Sequence, residues 1–263
     1  MTNSADGSHK LAGQRVLVTA GAGGIGLAIA ERLIADGARL FVCDVADQAL
    51  REFSARFPEH GSINADVADE GDVERLFREA RARLGGLDAL INNAGIAGPT
   101  GGVDEIAPVD WRRCIDVCLT GQFLCARLAV PLLREAGGGS IVNMSSAAGK
   151  HGYAFRTPYS AAKFGVIGLT QSLAKELGPQ AIRVNAILPG IVEGPRMAGV
   201  IRSRAAQLGV SDQEMERRYL ERVSLRRMVT AGDVANMVAF LLSAGGCNIS
   251  GQSIGVDGNV ETL

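Results

Sequence analysis

Short apolar runs alternate with stretches of helical period along most of the chain. The first run, RVLVTA (15–20), ends at a cluster of glycines, and apolar residues then recur at helical spacing over 25–37. Further apolar runs predict strands at 38–44, 62–65, 88–91, 140–146, 182–190 and 252–258. Buried strands separated by helices indicate an α/β fold. We therefore expect a doubly wound, Rossmann-like parallel sheet of about seven strands, with helices on both faces.

The same pattern predicts a single domain. No linker rich in proline, glycine or serine divides the chain, and 263 residues suffice for one large core. We expect residues 1–10 to form a flexible tail and residues 11–263 to form the domain. The segment 193–227 has helical period and is longer than a simple loop requires, so it is predicted to be an insertion that shapes a substrate pocket.

Composition narrows the possible partners. The net charge is −1 and no basic stripe is present, which argues against nucleic acid. No purely apolar run is long enough to span a bilayer, so no membrane association is expected. The five cysteines are odd in number and fit no disulfide framework, which favours a reducing cytoplasm. The cysteines lack further ligands nearby, so no metal site is predicted.

A glycine-rich turn, TAGAGGIG (19–26), joins the first predicted strand to the first helix. Gly21, Gly24 and Gly26 allow a sharp turn and a close approach to a pyrophosphate, which the helix N-terminus would attract. Asp44 ends the second strand, where a carboxylate can bind a ribose diol and repel a 2′-phosphate. Since no basic residue accompanies it, the sequence predicts NAD rather than NADP.

Ser146, Tyr159 and Lys163 form the candidate catalytic set. Tyr159 and Lys163 are four residues apart, so they share one face of a helix. An ammonium near a phenol favours the phenolate, which prepares the tyrosine for general acid–base catalysis. Ser146 precedes them as a hydroxyl that can orient a substrate oxygen, whereas Ser145 alternates to the other side of its strand.

With these motifs the chain resembles the short-chain dehydrogenase/reductase family in its short single-domain form, over roughly residues 10–260. The signature segments stand in the family's order: TAGAGGIG, Asp66–Val67, NNAG (92–95), Ser146, Tyr159 with Lys163, Pro189–Gly190 and VDG (256–258). The resemblance implies cofactor contacts for residues throughout the chain. These are Gly21, Gly24, Ile25, Gly26, Asp44, Asp66, Val67, Asn93, Ala94, Gly95, Tyr159, Lys163, Pro189, Gly190 and Val192.

The resemblance also implies catalytic roles and exposes three departures. Tyr159 would exchange the proton with substrate, Lys163 would hold the nicotinamide ribose, and Ser146 would bind the substrate oxygen.

Three residues depart from the family's usual pattern. Ala20 stands where the family usually has its first glycine. Cys118 stands at the usual position of a catalytic asparagine, whose backbone carbonyl it would retain. Gly194 replaces a threonine that commonly touches the nicotinamide carboxamide.

Substrate specificity is predicted to lie around three basic residues. Arg196, His151 and Arg156 are candidates for binding a carboxylate or another polar group. The favoured function is an NAD-dependent dehydrogenase of a secondary alcohol, namely a polyol, a sugar derivative or a hydroxy acid. The alternatives are a 3-oxoacyl thioester reductase and a non-catalytic dinucleotide-binding regulator.

Long helices are predicted at 108–135 and 157–178. The second is apolar or small-residue nearly all round, so one face would cover the sheet and the rest could cover a neighbouring subunit. By analogy with the family we expect a homotetramer, with a dimer as second choice.

Overall fold

A computed structural model describes residues 11–260 of the chain. The predicted flexible tail, residues 1–10, lies outside the described residues. Seven strands are formed: β1 Arg15–Thr19, β2 Arg39–Asp44, β3 Gly61–Asn64, β4 Ala89–Asn92, β5 Gly139–Met144, β6 Ile182–Pro189 and β7 Ser253–Val256. The α-helices in this range are α1 Gly24–Ala35, α2 Asp47–Arg56, α3 Glu70–Leu84, α4 Pro108–Ile115, α5 Gly121–Glu135, α6 Thr157–Leu177, α7 Pro195–Leu208, α8 Asp212–Leu220 and α9 Ala231–Leu242.

The strands form one parallel sheet in the order β3-β2-β1-β4-β5-β6-β7. The order reverses between β1 and β4, which is the switch point of a doubly wound sheet. In register, Val18 of β1 lies beside Val42 of β2 on one side and Ile91 of β4 on the other. The predicted fold class and the number of strands are therefore confirmed.

Side chains that alternate along the strands build a core on each face of the sheet. Leu17, Leu90 and Ile141 are fully buried in a core that α3 and α5 cover. Their neighbours Val18 and Ile91 point into a second core, which α1 and α9 cover. Burial on both faces explains why the strands appear in the sequence as nearly continuous apolar runs.

Helices α4 and α5 run on through a single π-helical turn, Asp116–Thr120. The combined stretch Pro108–Glu135 matches a membrane span by length and composition, with a mean hydropathy of 1.4 over 18 residues. However, 56% of that window is buried inside the fold, and α5 packs against α3 and the sheet. This is the packing of a core helix in an α/β domain.

The predicted insertion, 193–227, consists mainly of the two helices α7 and α8. Ile201 and Ala205 of α7 pack with Met215 and Tyr219 of α8 in a small separate core. The same core contains Ala147, which directly follows Ser146 at the end of β5. The insertion is thereby fastened beside the predicted catalytic residues.

Candidate active site

A cavity of about 430 Å³ lies at the carboxyl ends of β1, β2, β5 and β6. Its volume is within the usual range for a small-molecule site. Most of the residues predicted from the sequence line it: Gly24, Ile25, Gly26, Asp44, Asn93, Gly95, Ser146, Arg156, Tyr159, Lys163, Pro189, Gly190, Val192 and Arg196. The others are not part of its wall: Gly21, Asp66, Val67, Ala94, Cys118 and His151.

The glycine turn forms one end of the cavity. A Cβ added to Gly26 would lie only 1.9 Å from the carbonyl oxygen of Ala20, so the turn and helix α1 pack too closely for any side chain there. At Gly23 and Gly24 an added Cβ would meet nothing within 4 Å. Helix α1 begins at Gly24 without a side-chain cap. Open space and free helix N–H groups fit a pyrophosphate.

Thr19 and Asn93 fasten this turn to the end of β4. The Thr19 hydroxyl accepts hydrogen bonds from the backbone N–H groups of Asn93 and Ala94, both at 3.0 Å. The side-chain amide of Asn93 donates to the carbonyl oxygens of Thr19 and Ala20, both at 3.1 Å. Thr19 is 1% exposed and was not predicted as a site residue, although its place at the start of the glycine turn is a usable signal.

The Asp44 carboxylate lies against the glycine turn, at the end of β2. Its oxygens accept hydrogen bonds from the backbone N–H groups of Ala22, at 3.3 Å, and Ala46, at 3.1 Å. These contacts orient the carboxylate while it still lines the cavity. The following residue, Val45, is 62% exposed and carries no charge that could balance a phosphate.

Four predicted cofactor residues have other positions in the structure. Gly21 packs against β2, because an added Cβ would lie 2.8 Å from Val42. Asp66 forms an ion pair of 2.7 Å with Arg113. Val67 packs against Gly121 at the start of α5. The fourth, Ala94, is buried behind the cavity wall at 7% exposure.

Helix α6 brings Tyr159 and Lys163 to the cavity. The sequence Thr157–Pro158 starts the helix, since the fixed φ of proline suits a first turn. Lys163 is 3% exposed, and its Nζ donates a hydrogen bond of 2.8 Å to the carbonyl oxygen of Met144. The same Nζ lies 5.6 Å from the centroid of the Tyr159 ring. A buried ammonium is thereby held beside the phenol.

The two serines after β5 have different partners. Ser145 donates a hydrogen bond of 2.8 Å to the carbonyl oxygen of Lys163, which joins the end of the strand to α6. The Ser146 hydroxyl accepts one from the backbone N–H of Ala148 at 3.2 Å. Ser146 therefore retains its own proton for donation to an oxygen in the cavity.

Cys118 lies on the π-helical turn, behind the cavity wall. The backbone N–H of Ile96 donates to its Sγ at 3.4 Å, and Sγ in turn faces the Ile96 carbonyl oxygen at 3.5 Å. The Cys118 carbonyl oxygen accepts a hydrogen bond of 3.3 Å from Gln122. Gln122 also donates to the carbonyl oxygen of Met144 at 3.1 Å, so this buried side chain links the π-helical turn to the partner of Lys163. Gln122 was not predicted from the sequence.

Cys114 lies one turn before Cys118, and the two thiols form a pair. A hydrogen bond from Cys114 lowers the pKa of Cys118 to about 6, and the positive charge of Lys163 acts in the same direction. The shared proton and burial raise the pKa of Cys114. Of the two thiols, Cys118 is therefore the one that ionises more readily, on the side of Lys163.

The three predicted substrate residues do not share one environment. Arg156 is 6% exposed, lines the cavity, and donates through Nη2 to the carbonyl oxygen of Ala97. Arg196 is exposed at the cavity mouth, with a single hydrogen bond of 3.5 Å to the Gly95 carbonyl oxygen. His151 lies outside the wall, and its Nε2 is buried without a partner. The role of His151 in substrate binding therefore stays a prediction that this cavity does not support.

Tyr153 and Tyr219 also line the cavity and were not anticipated. Their hydroxyl groups are 2.7 Å apart, so a hydrogen bond joins the loop before α6 to helix α8. Burial raises the pKa of Tyr153 above its ordinary value. The segment 193–227 therefore contributes a polar hydroxyl group, that of Tyr219, to the cavity wall.

The segment after β6 forms the opposite wall. A Cβ on Gly190 would lie 2.7 Å from Asp257, so this glycine allows the VDG segment to pack directly against it. Gly194 has a φ of 138°, which a threonine would adopt only with strain. Glycine therefore suits the backbone that this segment adopts.

Comparison with known proteins agrees with this architecture. A family profile described as "Enoyl-(Acyl carrier protein) reductase" matches residues 19–260. Cis-4-hydroxycyclohexanecarboxylate dehydrogenase from Sinomonas cyclohexanicum is 37% identical over 253 residues, covering 94% of this chain and 96% of the relative. The chain is a member of the short-chain dehydrogenase/reductase family, and the predicted family is confirmed.

Two solved structures resemble the fold closely. A variant of actinorhodin polyketide ketoreductase with NADPH has a TM-score of 0.91 at 35% identity, covering 97% of this chain and 100% of that one. NAD⁺-bound xylitol dehydrogenase has a TM-score of 0.89 at 28% identity, covering 95% and 99%. The protein is thus a nicotinamide-dinucleotide-dependent oxidoreductase of the class that acts on small alcohols and ketones.

Proposed function

We propose that the protein is an NAD-dependent oxidoreductase that transfers hydride between its cofactor and a secondary alcohol or ketone. A single observation carries this proposal: Ser146, Tyr159 and Lys163 line the same cavity as the glycine turn and Asp44. A polyol, a sugar derivative or a hydroxy acid would suit the cavity. The relative from Sinomonas, named for a hydroxycyclohexanecarboxylate, supports the last class.

Each residue of the site has a separate task in the proposed reaction. When bound, the nicotinamide accepts or supplies the hydride. Tyr159 takes the proton from the alcohol during oxidation and returns it during reduction. Lys163 holds its positive charge 5.6 Å from the centroid of the Tyr159 ring, and its bond to Met144 fixes its position. Ser146 orients the reacting oxygen through its hydroxyl.

Asp44 supports NAD as the cofactor. The carboxylate points into the cavity beside the glycine turn, where it would bind the adenosine ribose and repel a 2′-phosphate. Gly24, Ile25 and Gly26 would bind the pyrophosphate, and Pro189, Gly190 and Val192 would flank the nicotinamide. The predicted contacts of Asp66 and Val67 with adenine stay predictions, since both lie outside the cavity wall.

The role of Tyr159 is tested by Tyr159→Phe. We expect turnover to fall by about 10²–10⁴-fold, because the variant lacks the proton that is exchanged with substrate. NAD binding should be nearly unchanged, since the ring is retained. Steady-state kinetics with a screened alcohol and calorimetric titration of NAD measure the two effects. A variant that keeps most of its activity would exclude the acid–base assignment.

The choice of cofactor is tested by Asp44→Ala. We expect NAD affinity to fall by about 10-fold through loss of the charged hydrogen bond to the ribose, while NADP affinity rises as repulsion disappears. Calorimetric titrations with both cofactors give the ratio of the NAD affinity to the NADP affinity. Asp47→Ala is the control, because Asp47 begins α2 outside the cavity wall. If the wild type and Asp44→Ala had equal ratios of NAD to NADP affinity, Asp44 would not be the residue that selects the cofactor.

The 3-oxoacyl thioester reductase is the second candidate. The similarity to the polyketide ketoreductase with NADPH favours it, whereas Asp44 disfavours NADPH. Reduction of an acetoacetyl thioester with NADPH, compared with oxidation of polyols and hydroxy acids with NAD, separates the two candidates. A non-catalytic regulator would bind the dinucleotide and turn over neither set.

We further propose a homotetramer, with a dimer as second choice, and a cytoplasmic location. The assembly is supported by exposed aromatic residues on α4, α5 and α6, namely Trp111, Phe123 and Phe164. The location is supported by free cysteines at all five positions, each within the described range.

A further inference from the structure

Arg156 is a buried cation without a carboxylate partner. Only 6% of the residue is exposed, and among residues 11–260 no Asp or Glu oxygen lies within 4 Å of its guanidinium. Its Nη2 donates to the Ala97 carbonyl oxygen, whereas its Nε is buried with no partner. Buried charges in proteins are normally paired, so this side chain lacks the anion that its environment requires.

Two aromatic rings hold the guanidinium in place. Its Cζ lies 5.4 Å from the centroid of the Tyr153 ring and 5.1 Å from that of Tyr159. Contacts with ring faces offset part of the cost of burial but satisfy no N–H group. The bond to Ala97 and the two ring contacts together place the guanidinium beside the proposed acid–base residue.

Arg196 approaches Tyr159 from the insertion. Its Cζ lies 5.9 Å from the Tyr159 ring centroid, and its one hydrogen bond, to Gly95, is at the limiting distance of 3.5 Å. Arg196 likewise has no carboxylate within 4 Å among the described residues. Such an exposed, weakly held guanidinium can exchange a carbonyl oxygen for a stronger anionic acceptor at little cost.

The two acidic residues of the cavity wall leave the substrate end positive. Asp44 lies beside the glycine turn, at the end proposed for adenosine. Glu193 is exposed and forms no ion pair within 4 Å in the described part of the chain. Lys163 is already bonded to the Met144 carbonyl oxygen. The unmatched charge at Tyr159 is therefore that of Arg156 and Arg196.

We propose that the substrate of this enzyme carries a carboxylate, which binds to Arg156 and Arg196 while Tyr159 and Ser146 bind the reacting oxygen. The inference rests on the proposed function and narrows its substrate to small hydroxy acids and the corresponding oxo acids. A carboxylate accepts several hydrogen bonds at once, so it can bind the Nη1 group of Arg156 at the cavity wall and give Arg196 a charged partner. It also fixes the distance between the acid group and the hydroxyl that is oxidised.

The first experiment compares hydroxy acids with their own methyl esters, which keep the hydroxyl and lose the charge. With cyclic and acyclic pairs and both NAD and NADP, we expect kcat/KM to be at least about tenfold higher for the acids, mainly through KM. Esters that react as well as the acids overturn the carboxylate proposal and leave the oxidoreductase proposal intact. Failure of every alcohol and ketone overturns the proposed function instead.

A binding measurement tests the carboxylate proposal without any enzymatic turnover. Cyclohexanecarboxylate and cyclohexanecarboxamide are titrated into the NADH-loaded protein by calorimetry. We expect the carboxylate to bind at least about tenfold more tightly, because only it supplies a charge to the arginines. Equal binding, or tighter binding of the amide, overturns the proposal even if no substrate has been found.

Variants separate anion binding from a structural role. Arg156→Gln and Arg196→Met should raise KM for hydroxy acids by about tenfold or more, so that the ratio of kcat/KM between acid and ester falls by that factor, while Arg156→Lys restores part of the preference. Arg202→Met, at an exposed position on the same helix α7, should leave both KM and this ratio unchanged. If Arg156→Gln does not fold, the kinetics of Arg196→Met and the calorimetric comparison still test the carboxylate proposal. Equal losses for acid and ester would show that the arginines only position Tyr159, against the proposal.

Discussion

Ala20 has a left-handed backbone conformation, with a φ of 49°, at the second position of the glycine turn. Such a φ costs a residue with a Cβ about 1–2 kcal/mol relative to glycine. The strain persists because Asn93 holds the Ala20 carbonyl oxygen, and Gly26 packs directly against it. The alanine therefore departs from the family pattern in residue type while keeping the backbone that glycine would adopt.

Replacing this alanine should stabilise the protein. For Ala20→Gly we expect the free energy of unfolding to rise by about 0.5–1 kcal/mol, as relief of strain exceeds the greater entropy of the unfolded glycine chain. Urea unfolding followed by circular dichroism measures the change. The matched control is Ala22→Gly in the same turn, which has no positive φ and should lose stability. A loss in Ala20→Gly as well would contradict the strain argument.

Individual residues show what the sequence can and cannot reveal. Spacing suffices to place Tyr159 and Lys163 on one helix face, because the helical period is fixed by backbone geometry. It does not reveal burial, so Arg156 and His151 looked equivalent as polar residues of one loop. In the structure Arg156 lines the cavity, whereas His151 is not part of its wall and its Nε2 is buried without a partner. That difference depends on tertiary packing of the loop against α6 and β5.

At the scale of elements, the π-helical turn was not foreseen from the sequence. The apolar periodicity is nearly the same on both sides of 116–120, so the sequence predicted one continuous helix over 108–135. The π-helical turn, which inserts one extra residue into the helix, was missed. The turn places Cys118 toward Ile96 and its carbonyl oxygen toward Gln122. The strand predictions were close because buried parallel strands are short apolar runs with clear ends.

The thiol pair on this turn predicts a pH-dependent stability. In the folded protein the pKa of Cys118 is lowered to about 6 from an ordinary value near 9. A lowered folded pKa gives stability that is complete above the ordinary value and is lost as the pH falls toward 6. The free energy of unfolding of the wild type, relative to Cys118→Ala, should therefore increase from pH 6 to pH 9.

Urea unfolding at several pH values tests this expectation. Cys125→Ala is the matched control, because full burial keeps the pKa of Cys125 well above this range. Its removal should change the free energy of unfolding by the same amount at every pH. Parallel stability curves for the wild type and Cys118→Ala would show that Cys118 does not carry the charge beside Lys163. The ultraviolet absorbance of the thiolate gives an independent reading of the same titration.

At the scale of the whole molecule, topology follows from few rules. Strand–helix alternation with parallel crossovers leaves only a small number of sheet orders, and the observed order is one of them. The segment 193–227 was predicted to be an insertion because of its length. Its two helices and their core around Tyr219 were not predicted, because charged residues dominate their exposed faces. The anchoring of α8 to Tyr153 thus emerges only in three dimensions.

The exposed face of α6 leads to the last prediction, on assembly. Phe164 is 47% exposed on a stripe with Ala161 and Gly168, and such an apolar face beside the small residues favours close packing of a second subunit. Phe164→Asp would place a charge in that contact. We expect the wild type to be a tetramer by light scattering, and the variant to shift to smaller species at equal concentration. Leu208→Asp, 46% exposed on α7, is the control and should leave the mass unchanged. A monomeric wild type would exclude the assembly. A Phe164→Asp variant of unchanged mass would show that the subunits do not meet at this face of α6.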